Sequence, residues 1–340
     1  MAAMSCPNCG QPVEPAQRFC EECGESQLLR RTPVGGPVGL ASACRSCGDA
    51  SFGPDGFCEN CGHGRPAGRD RMECDLGPVA GVSDRGRRRA RNEDSMAFGA
   101  VGRTGQTRAV VAVVCDGVAS SERADEASQA AVDAATDVLL LALMENDDFS
   151  HSDAVDATGD AVTATFEAVD ALVRAHEAPS CTYVSAVVTA SEVTVGWLGD
   201  SRAYWIGDDL TEQQLTVDDT VVSLLVAAGV SAEQAMADPN AHALARWVGA
   251  DAEDRQPQVR TFQPDGPGAV VLCSDGLWNY RPALDGLATA VRAGPGTAGT
   301  RPAAETAQAL TALALESGGH DNVTVVVVPV PITDLGSPQA

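Results

Sequence analysis

The first 62 residues contain four copies of a Cys-x-x-Cys-Gly unit. Ten residues separate the first unit from the second, ten separate the third from the fourth, and the second pair repeats the first 38 residues later. Two thiolates three positions apart can bind one metal ion, and the glycine that follows allows a tight turn around it. The cysteines of the repeat are Cys6, Cys9, Cys20, Cys23, Cys44, Cys47, Cys58 and Cys61.

Four thiolates in each half suit tetrahedral Zn²⁺, and the pattern resembles a tandem zinc ribbon with two ions. The alternatives are a disulfide framework, which a reducing compartment disfavours, and an iron–sulfur site, which the regular spacing disfavours. Each half has too few apolar residues to fold without metal. The ribbons could serve as a cap, a protein-docking surface or a nucleic-acid contact. Few basic residues flank them, which favours structure or protein contact.

A second set of residues is acidic. Asp116 and Asp275 each follow an apolar run and precede a glycine, Asp321 comes just before another apolar run, and Glu93 and Asp94 end an arginine-rich segment. Carboxylates at strand ends can converge on hard divalent cations, and two such cations can activate a water and hold a phosphate. Any one Asp-Gly pair is more typical of a plain turn, so it is the set that indicates a site.

Converging carboxylates need strands that end in one place. The sequence predicts strands at 108–115, 183–189, 193–198, 203–206, 268–273 and 323–330. It predicts helices at 121–144, 153–176, 217–228, 241–248 and 303–315. Many strands with paired long helices favour layered α+β architecture.

Composition limits the function classes. The 340 residues are 44% hydrophobic, and 23 basic residues against 47 acidic ones give a net charge of −24. This charge disfavours nucleic acid and anionic membrane surfaces as partners. Every basic residue is arginine, which excludes Schiff-base and P-loop lysine chemistry. No apolar run approaches the ~20 residues of a membrane span, and the N-terminus lacks signal-peptide features, so we expect a cytoplasmic protein with reduced thiols.

From about residue 79 to residue 330 the chain resembles the metal-dependent protein phosphatases of the PP2C (PPM) family. The resemblance rests on segments that occur in family order: Ser83-Asp84-x-Gly86 leading to Arg89 and Asn92-Glu93-Asp94, then Asp116-Gly117, Gly199-Asp200-Ser201-Arg202, Ser274-Asp275-Gly276-Leu277-Trp278 and Asp321-Asn322. It implies an α-β-β-α sandwich with a metal site at one end. The expected fold class is therefore α+β, with two small zinc ribbons before a sandwich domain.

The resemblance also implies a ligand set for two Mg²⁺ or Mn²⁺ ions. Asp116 would bridge the two ions, and the Gly117 carbonyl would bind the second one. Asp275 and Asp321 would complete the first.

Further roles follow from the same resemblance. Glu93 and Asp94 would hold metal-bound waters, and Arg89 would bind the phosphate with its guanidinium. The catalytic set implied in this way is Arg89, Asp116 and Asp275.

The implied reaction is hydrolysis of phosphoserine and phosphothreonine in proteins by a metal-activated water, as in signalling phosphatases. After Gly117 the chain has Val118-Ala119-Ser120, where the family usually has His or Met and then two glycines. This departure motivates an alternative, a catalytically weak phosphatase-like binding or sensing module that docks a partner through its ribbons. The acidic set argues against it. The expected partners are phosphorylated proteins and a Ser/Thr kinase, with no membrane and no nucleic acid.

The sequence up to residue 75 holds nine of the 12 cysteines and many glycines and prolines, and alternating strand and helix patterns follow. The sequence predicts a first ribbon at 1–24, a linker at 25–43, a second ribbon at 44–66, a phosphatase domain at 77–331 and a tail at 332–340. If these units are independent, a fragment that begins near Gly77 should fold and act on a small aryl phosphate.

Overall fold

The computed structural model describes residues 4–6, 9–14, 17–24, 26–36, 44, 47, 49–64, 68–103, 106–146, 148–281, 283–294 and 296–332. The predicted tail therefore lies almost wholly outside the described residues. The strands are β1 (Met4–Ser5), β2 (Pro12–Val13), β3 (Leu29–Arg31), β4 (Arg71–Asp75), β5 (Ala80–Asp84), β6 (Ser95–Arg103), β7 (Gln106–Cys115), β8 (Ser180–Cys181), β9 (Tyr183–Thr189), β10 (Val193–Leu198), β11 (Arg202–Gly207), β12 (Glu212–Gln214), β13 (Val248–Gly249), β14 (Gln258–Phe262), β15 (Gly268–Cys273) and β16 (Val323–Val330). The helices are α1 (Ala124–Glu145), α2 (His151–Asp170), α3 (Val221–Ala227), α4 (Ala232–Met236), α5 (Asp275–Trp278), α6 (Leu284–Arg292) and α7 (Ala303–Glu316).

Two six-stranded antiparallel sheets lie at the centre of the fold. The first has the strand order β14-β10-β9-β7-β6-β3, and the second has the order β12-β11-β15-β16-β5-β4. The sheets pack face to face, α1 and α2 cover the outer face of the first sheet, and α6 and α7 cover that of the second. This arrangement confirms the expected α-β-β-α sandwich.

The central strands are apolar at nearly every position because both of their faces are buried. In β7, Val111 and Val113 lie in the layer beneath the helices, whereas Val110 and Val114 lie between the two sheets. Side chains alternate along a strand, so only a continuous apolar run can fill both layers. The same reasoning explains the long valine run of β16.

The start of α2 and the burial of α1 both follow from the sequences of these two long helices. A capping box starts α2: Ser150 Oγ accepts from the Asp153 N–H, and the Asp153 carboxylate accepts from the Ser150 N–H. Among the described residues, α1 is the one helix long and apolar enough to cross a membrane by length and composition. Its Leu139 and Leu143 are fully buried in the core, as in the core helix of a globular domain.

The cysteine repeat forms two compact groups, and the four sulfur atoms of each group lie within 4.8 Å of one another. Cys9 and Cys20 are 3.6 Å apart in the first group, and Cys44 and Cys61 are 3.4 Å apart in the second. Gly24 has a φ of 74°, a conformation that suits glycine, and donates its N–H to the Cys20 carbonyl. The pairing within each half is thus as predicted. The groups are Cys6, Cys9, Cys20, Cys23 and Cys44, Cys47, Cys58, Cys61.

The structure differs from the sequence prediction in the segment between the ribbons. Within the predicted linker 25–43, β3 pairs with β6 at the edge of the first sheet, with Leu29 opposite Val101. The Thr32 N–H continues the ladder to the Phe98 carbonyl at 2.9 Å. An edge strand offers unpaired backbone groups to any nearby segment, so this pairing needs no apolar alternation in the sequence.

A second strand lies before the predicted start of the phosphatase domain at residue 77. β4 pairs with β5 at the edge of the second sheet, with Met72 opposite Ser83. The Met72 side chain is 1% exposed and belongs to the layer between the sheets. The sandwich therefore takes one edge strand in each sheet from the chain before residue 77.

Most predicted elements form, with ends displaced by a few residues. The segment 241–248 is an exception, because it forms turns and the short strand β13 instead of a helix. The carbonyls of Ala241 and Ala243 accept from the Val222 and Val221 N–H groups, which caps the start of α3. Sequence reasoning also missed β6, β14 and α6. β6 contains Gly99 and Gly102 in a run of mixed residues that has no clear period.

Candidate metal centre

In the first sheet, two acidic residues meet because of strand register. β6 begins at Ser95 and β7 ends at Cys115, and these two residues are paired across the ladder. Asp94 immediately precedes β6 and Asp116 immediately follows β7, so the two residues lie side by side at this end of the sheet. This explains how a segment before a strand and a segment after one contribute to the same site.

The second sheet brings three more carboxylates to the same end. Cys273, at the end of β15, pairs with Val325 near the start of β16, so Asp275 and Asp321 lie at this edge. β11 also begins opposite Cys273, and Asp200 lies in the turn between β10 and β11. Loops from both sheets therefore converge at one end of the sandwich.

Asp94 is the most deeply buried of these carboxylates, with no exposed surface. Its Oδ2 accepts from Ser274 Oγ at 2.7 Å and from Thr324 Oγ1 at 2.8 Å. Its Oδ1 is buried and has no hydrogen-bond partner among the described residues. Burial raises the pKa of Asp94 to about 6, against the opposing effect of the hydroxyl hydrogen bonds.

The carboxylates around Asp94 repel one another. Burial raises the pKa of Asp116 well above its usual range, and the nearby Asp94, Asp275 and Asp200 raise it further. Burial, followed by the charges of neighbouring carboxylates, raises the pKa of Asp275 to about 8. Burial likewise raises the pKa of Asp200 to about 6. Such a cluster needs protons or cations to offset its charge.

Glycines beside two of the aspartates allow the loops to touch. A Cβ at Gly276 would lie 1.8 Å from the Asn322 carbonyl oxygen, and one at Gly117 would lie 2.7 Å from the Glu93 carbonyl oxygen. No side chain fits at such distances. The Asp-Gly pairs therefore do more than form turns, because they bring the loops of different strands into backbone contact.

Asn322 ties the arginine-rich loop to the start of β16. Its Oδ1 accepts from the Glu93 N–H at 2.8 Å, and its Nδ2 donates to the carbonyls of Arg85 at 2.8 Å and Arg91 at 3.0 Å. Glu93 is thus held at the rim of the cluster, where burial raises the pKa of its carboxyl.

Arg89 is the cation at the mouth of the cluster. Its Nη2 donates to Asp321 Oδ2 at 2.6 Å, and the side chains are 38% and 30% exposed. The Asp321 carboxylate raises the pKa of Arg89, so the guanidinium stays charged. A guanidinium carries five N–H groups, and the bond to Asp321 uses one nitrogen. The solvent-facing position leaves room for an anion.

The donor set fits hard divalent cations. All side-chain donors are carboxylate oxygens, and the buried Oδ1 atoms of Asp94 and Asp275 have no hydrogen-bond partner among the described residues. The carboxylates are spread more widely than the sulfur atoms. In the part of the chain described, only the two cysteine groups have three or more ligand atoms within 4.8 Å of one another.

A cavity of about 590 Å³ opens next to the acidic cluster. Its lining begins at Val118, two residues after Asp116, and includes Leu244 and Trp247 from the segment between α4 and β14. Glu177 and Asp251 add negative charge to the lining, and Trp247 Nε1 donates to Asp251 Oδ1 at 2.9 Å. The cavity can therefore take a mixed apolar and basic group beside the cluster.

The residues singled out from the sequence lie together at this end of the sandwich: Arg89, Glu93, Asp94, Asp116, Gly117, Asp275 and Asp321. Sequence reasoning gave no role to Asp200, although it lies among them. The signal was its place in Gly199-Asp200-Ser201-Arg202, one of the segments that carry the resemblance, between β10 and β11. Cys115 and Cys273 are fully buried, and burial raises the pKa of both thiols, so they are core residues.

Known proteins share both parts of the chain. The family profile of Protein phosphatase 2C matches residues 83–312, and that of the Double zinc ribbon matches residues 6–62. The serine/threonine phosphatase stp of Listeria innocua is 29% identical over 253 residues, which are 72% of this chain and 93% of that protein.

Two solved structures support the same assignment. The serine/threonine phosphatase Stp1 from Staphylococcus aureus shares the fold, with a TM-score of 0.61 at 22% identity over 76% of this chain and 97% of that one. The catalytic domain of the phosphatase PstP, in complex with two manganese ions, gives a TM-score of 0.53 at 28% identity over 74% of this chain and 96% of that one. The chain thus belongs to the protein phosphatase 2C family, with a double zinc ribbon before the phosphatase domain.

Proposed function

We propose that this protein is a metal-dependent phosphatase that hydrolyses phosphoserine and phosphothreonine in proteins. The observation that carries the proposal is the convergence of Asp94, Asp116, Asp275 and Asp200, with Arg89 at the mouth. A buried cluster of repelling carboxylates beside an accessible guanidinium matches what metal-assisted phosphoryl transfer requires.

The carboxylate cluster would hold two Mn²⁺ or Mg²⁺ ions. Asp116 would bridge them, Asp275 and Asp321 would bind one, and the Gly117 carbonyl would bind the other. When bound, two such ions would lower the pKa of a water, so that it can lose a proton and attack phosphorus. Glu93, at the rim, and Asp94, in the buried centre, would orient water, and Asp200 adds a carboxylate to which the sequence gave no role.

Arg89 would bind and orient the phosphate of the substrate. Its bond to Asp321 fixes the guanidinium beside the cluster, so the phosphate would be held between a cation and the ligand residues. Val118 has no proton to donate, so this chain offers no side-chain acid at the position where some relatives carry histidine.

The cavity beside Asp116 would receive residues that flank the phosphorylated side chain. Trp247 and Leu244 offer apolar surface, and Glu177 and Asp251 offer negative charge, which suits a peptide with a basic residue near the phosphate. A small phosphate ester needs none of this space. The cavity therefore favours phosphoproteins as substrates.

The ribbons would each bind one Zn²⁺, since four sulfurs lie close together in each half and thiolates prefer this ion. Elemental analysis should find two zinc ions per chain, and iron in their place would contradict the assignment. We further propose a cytoplasmic protein that opposes a Ser/Thr kinase, with the ribbons in a structural or protein-docking role. The net charge of −24 disfavours nucleic acid and membrane surfaces.

The test is hydrolysis of p-nitrophenyl phosphate and a phosphothreonine peptide with Mn²⁺. We expect turnover of both, loss of turnover when Mn²⁺ is omitted, and recovery when it is restored. Folded, zinc-loaded protein that turns over neither substrate with Mn²⁺ or Mg²⁺ would contradict the proposal. It would favour the binding-module alternative instead.

A further inference from the structure

Arg69 lies between the second ribbon and β4, in a one-turn 3-10 helix at Gly68–Asp70. It precedes residues 83–312, the part of the chain that the phosphatase profile matches. The family resemblance therefore assigns it no role. Its half-buried side chain nevertheless reaches the start of β6, where the acidic cluster begins.

Arg69 binds the backbone of Asp94 and the side chains of residues on both sides of it. Its Nη2 donates to the Asp94 carbonyl at 2.9 Å and to Ser95 Oγ at 2.7 Å. Its own carbonyl accepts from Asn92 Nδ2 at 2.9 Å. Arg69 is thus hydrogen-bonded to three of the four residues from 92 to 95.

The side chain of Asp94 is held from the opposite direction. Ser274 and Thr324 fix its Oδ2, as described above. Arg69 fixes the backbone from which the carboxylate extends. The position of Oδ1, the oxygen that has no hydrogen-bond partner among the described residues, depends on both sets of contacts.

The same contacts extend to the neighbouring acidic residue. Ser95 Oγ lies 2.8 Å from Ser128 Oγ, and Ser128 Oγ donates to the Glu93 carbonyl at 2.5 Å. The Gly117 N–H donates to the same carbonyl at 3.2 Å. A continuous network therefore runs from Arg69 through two hydroxyls to the loops that carry Glu93 and Asp116.

Arg69 is itself anchored on α1. Its Nη1 donates to Gln129 Oε1 at 2.6 Å. Burial lowers its pKa, but Asp125, Asp94 and Asp133 oppose this effect, so the guanidinium remains a cation. A planar, charged fork with a fixed anchor can hold a backbone segment in one position.

We propose that Arg69 is a positioning residue of the metal centre, which sets the backbone of Glu93 and Asp94 for the ions. A segment outside the recognised phosphatase domain thereby becomes part of its active site. The inference rests on the proposed function, because it takes the acidic cluster as the site of Mn²⁺ or Mg²⁺ binding.

The test measures Mn²⁺ binding directly, from the electron paramagnetic resonance signal of free Mn²⁺ titrated with zinc-loaded full-length protein. Arg69→Ala should weaken binding about tenfold, within the range found for residues that hold metal ligands. Arg69→Lys should lie between the wild type and Arg69→Ala, because lysine keeps the charge but loses the fork. Gln129→Ala, which removes the anchor on α1 together with a hydrogen bond to Asp133, should shift binding in the same direction and by less.

Arg292→Ala is the matched control. Arg292 donates to the Gly207 and Thr211 carbonyls and pairs with Glu212, at the end of β11 remote from the cluster. The Arg292→Ala substitution should lower the melting temperature and leave Mn²⁺ binding unchanged. Wild-type Mn²⁺ affinity in both Arg69→Ala and Gln129→Ala would overturn the inference, and so would an equal loss of binding in Arg292→Ala. Wild-type protein that binds Mn²⁺ without turnover would overturn the proposed function alone.

Discussion

Single residues at the metal centre combine two properties that rarely occur together, which are burial and charge. Asp94 has no exposed surface, and Asp116 and Asp275 repel it and each other. The hydroxyls of Ser274 and Thr324 offset part of this cost by donating hydrogen bonds to Asp94. The cluster is destabilising without cations, so it is retained for binding rather than for folding.

Replacing Asp275 should separate catalysis from stability. Asp275→Asn removes a charged ligand, so we expect turnover of p-nitrophenyl phosphate to fall on the order of 100-fold or more at saturating Mn²⁺. Without Mn²⁺ the variant should melt at a higher temperature than the wild type, because one repelling charge is gone. Asp265→Asn, in the exposed loop before β15, should change neither property. Near-wild-type turnover in Asp275→Asn would refute the ligand assignment.

The raised pKa values predict how the stability of the protein depends on pH when the acidic cluster holds no metal. Gel filtration would remove Mn²⁺ and Mg²⁺ and leave the thiolate-bound zinc in place. Folding raises the pKa of Asp94 and Asp200 to about 6 and that of Asp275 to about 8. Groups with raised values stabilise the fold when protonated, so their contribution is lost as pH rises from about 4 to about 8. The melting temperature should fall across this window, and Mn²⁺ should reduce the fall. A rise with pH would contradict the assignment.

At the scale of elements, the loops between strands determine what can approach the cluster. The loop after β7, the loop after α2 and the segment from α4 to β13 form the walls of the cavity next to Asp116. The segment 241–248 is not helical, because its carbonyls cap α3. This arrangement leaves Trp247 half-buried at the cavity wall.

Trp247→Ala should affect protein substrates more than small ones. We expect KM for a phosphothreonine peptide to rise about 3- to 10-fold, because ground-state contact is lost, with little change for p-nitrophenyl phosphate. Leu224→Ala is a control in the same region, since Leu224 is 53% exposed on α3 and lies outside the cavity lining. Equal effects of Trp247→Ala on both substrates would rule out the cavity as a peptide site.

At the scale of the whole molecule, the N-terminal region is joined to the sandwich at several points. β3 extends the first sheet, β4 extends the second, and Arg31 pairs with Asp133 and Asp137 on α1. Arg103 also donates to the Gln17 carbonyl at 2.8 Å in the first ribbon. The phosphatase domain and the ribbon region are therefore less separable than the sequence predicts.

Two truncations test this integration. Removing residues 1–76 deletes β3, β4 and Arg69, so we expect the melting temperature to fall by more than about 5 °C and Mn²⁺ binding to weaken. Removing residues 1–25 deletes the first ribbon and keeps these elements, and it should remain close to the wild type in both measurements. If the shorter fragment matches the wild type, the region is modular, as the sequence alone indicated.

Local patterns in the sequence were sufficient for much of the site. The Cys-x-x-Cys-Gly repeat predicts the two sulfur groups because ligand spacing and turn chemistry are local properties. The valine runs of β7 and β16 predict strands buried on both faces. The Asp-Gly pairs after β7 and β15, followed by Asp321 before β16, predict the acidic cluster and, by their order, the family.

Only the tertiary structure determined the features that depend on register and edge pairing. Asp200 joins the cluster because β11 begins opposite the end of β15, a relation between strands that are 60 or more residues apart. β3 adds to a sheet edge through backbone hydrogen bonds, which leave no side-chain pattern in the sequence. Arg69 reaches Asp94 because β4 carries its segment back along β5. The sequence thus determines the types and spacing of side chains along the chain. Distances between residues on different strands are set only when the sheets assemble.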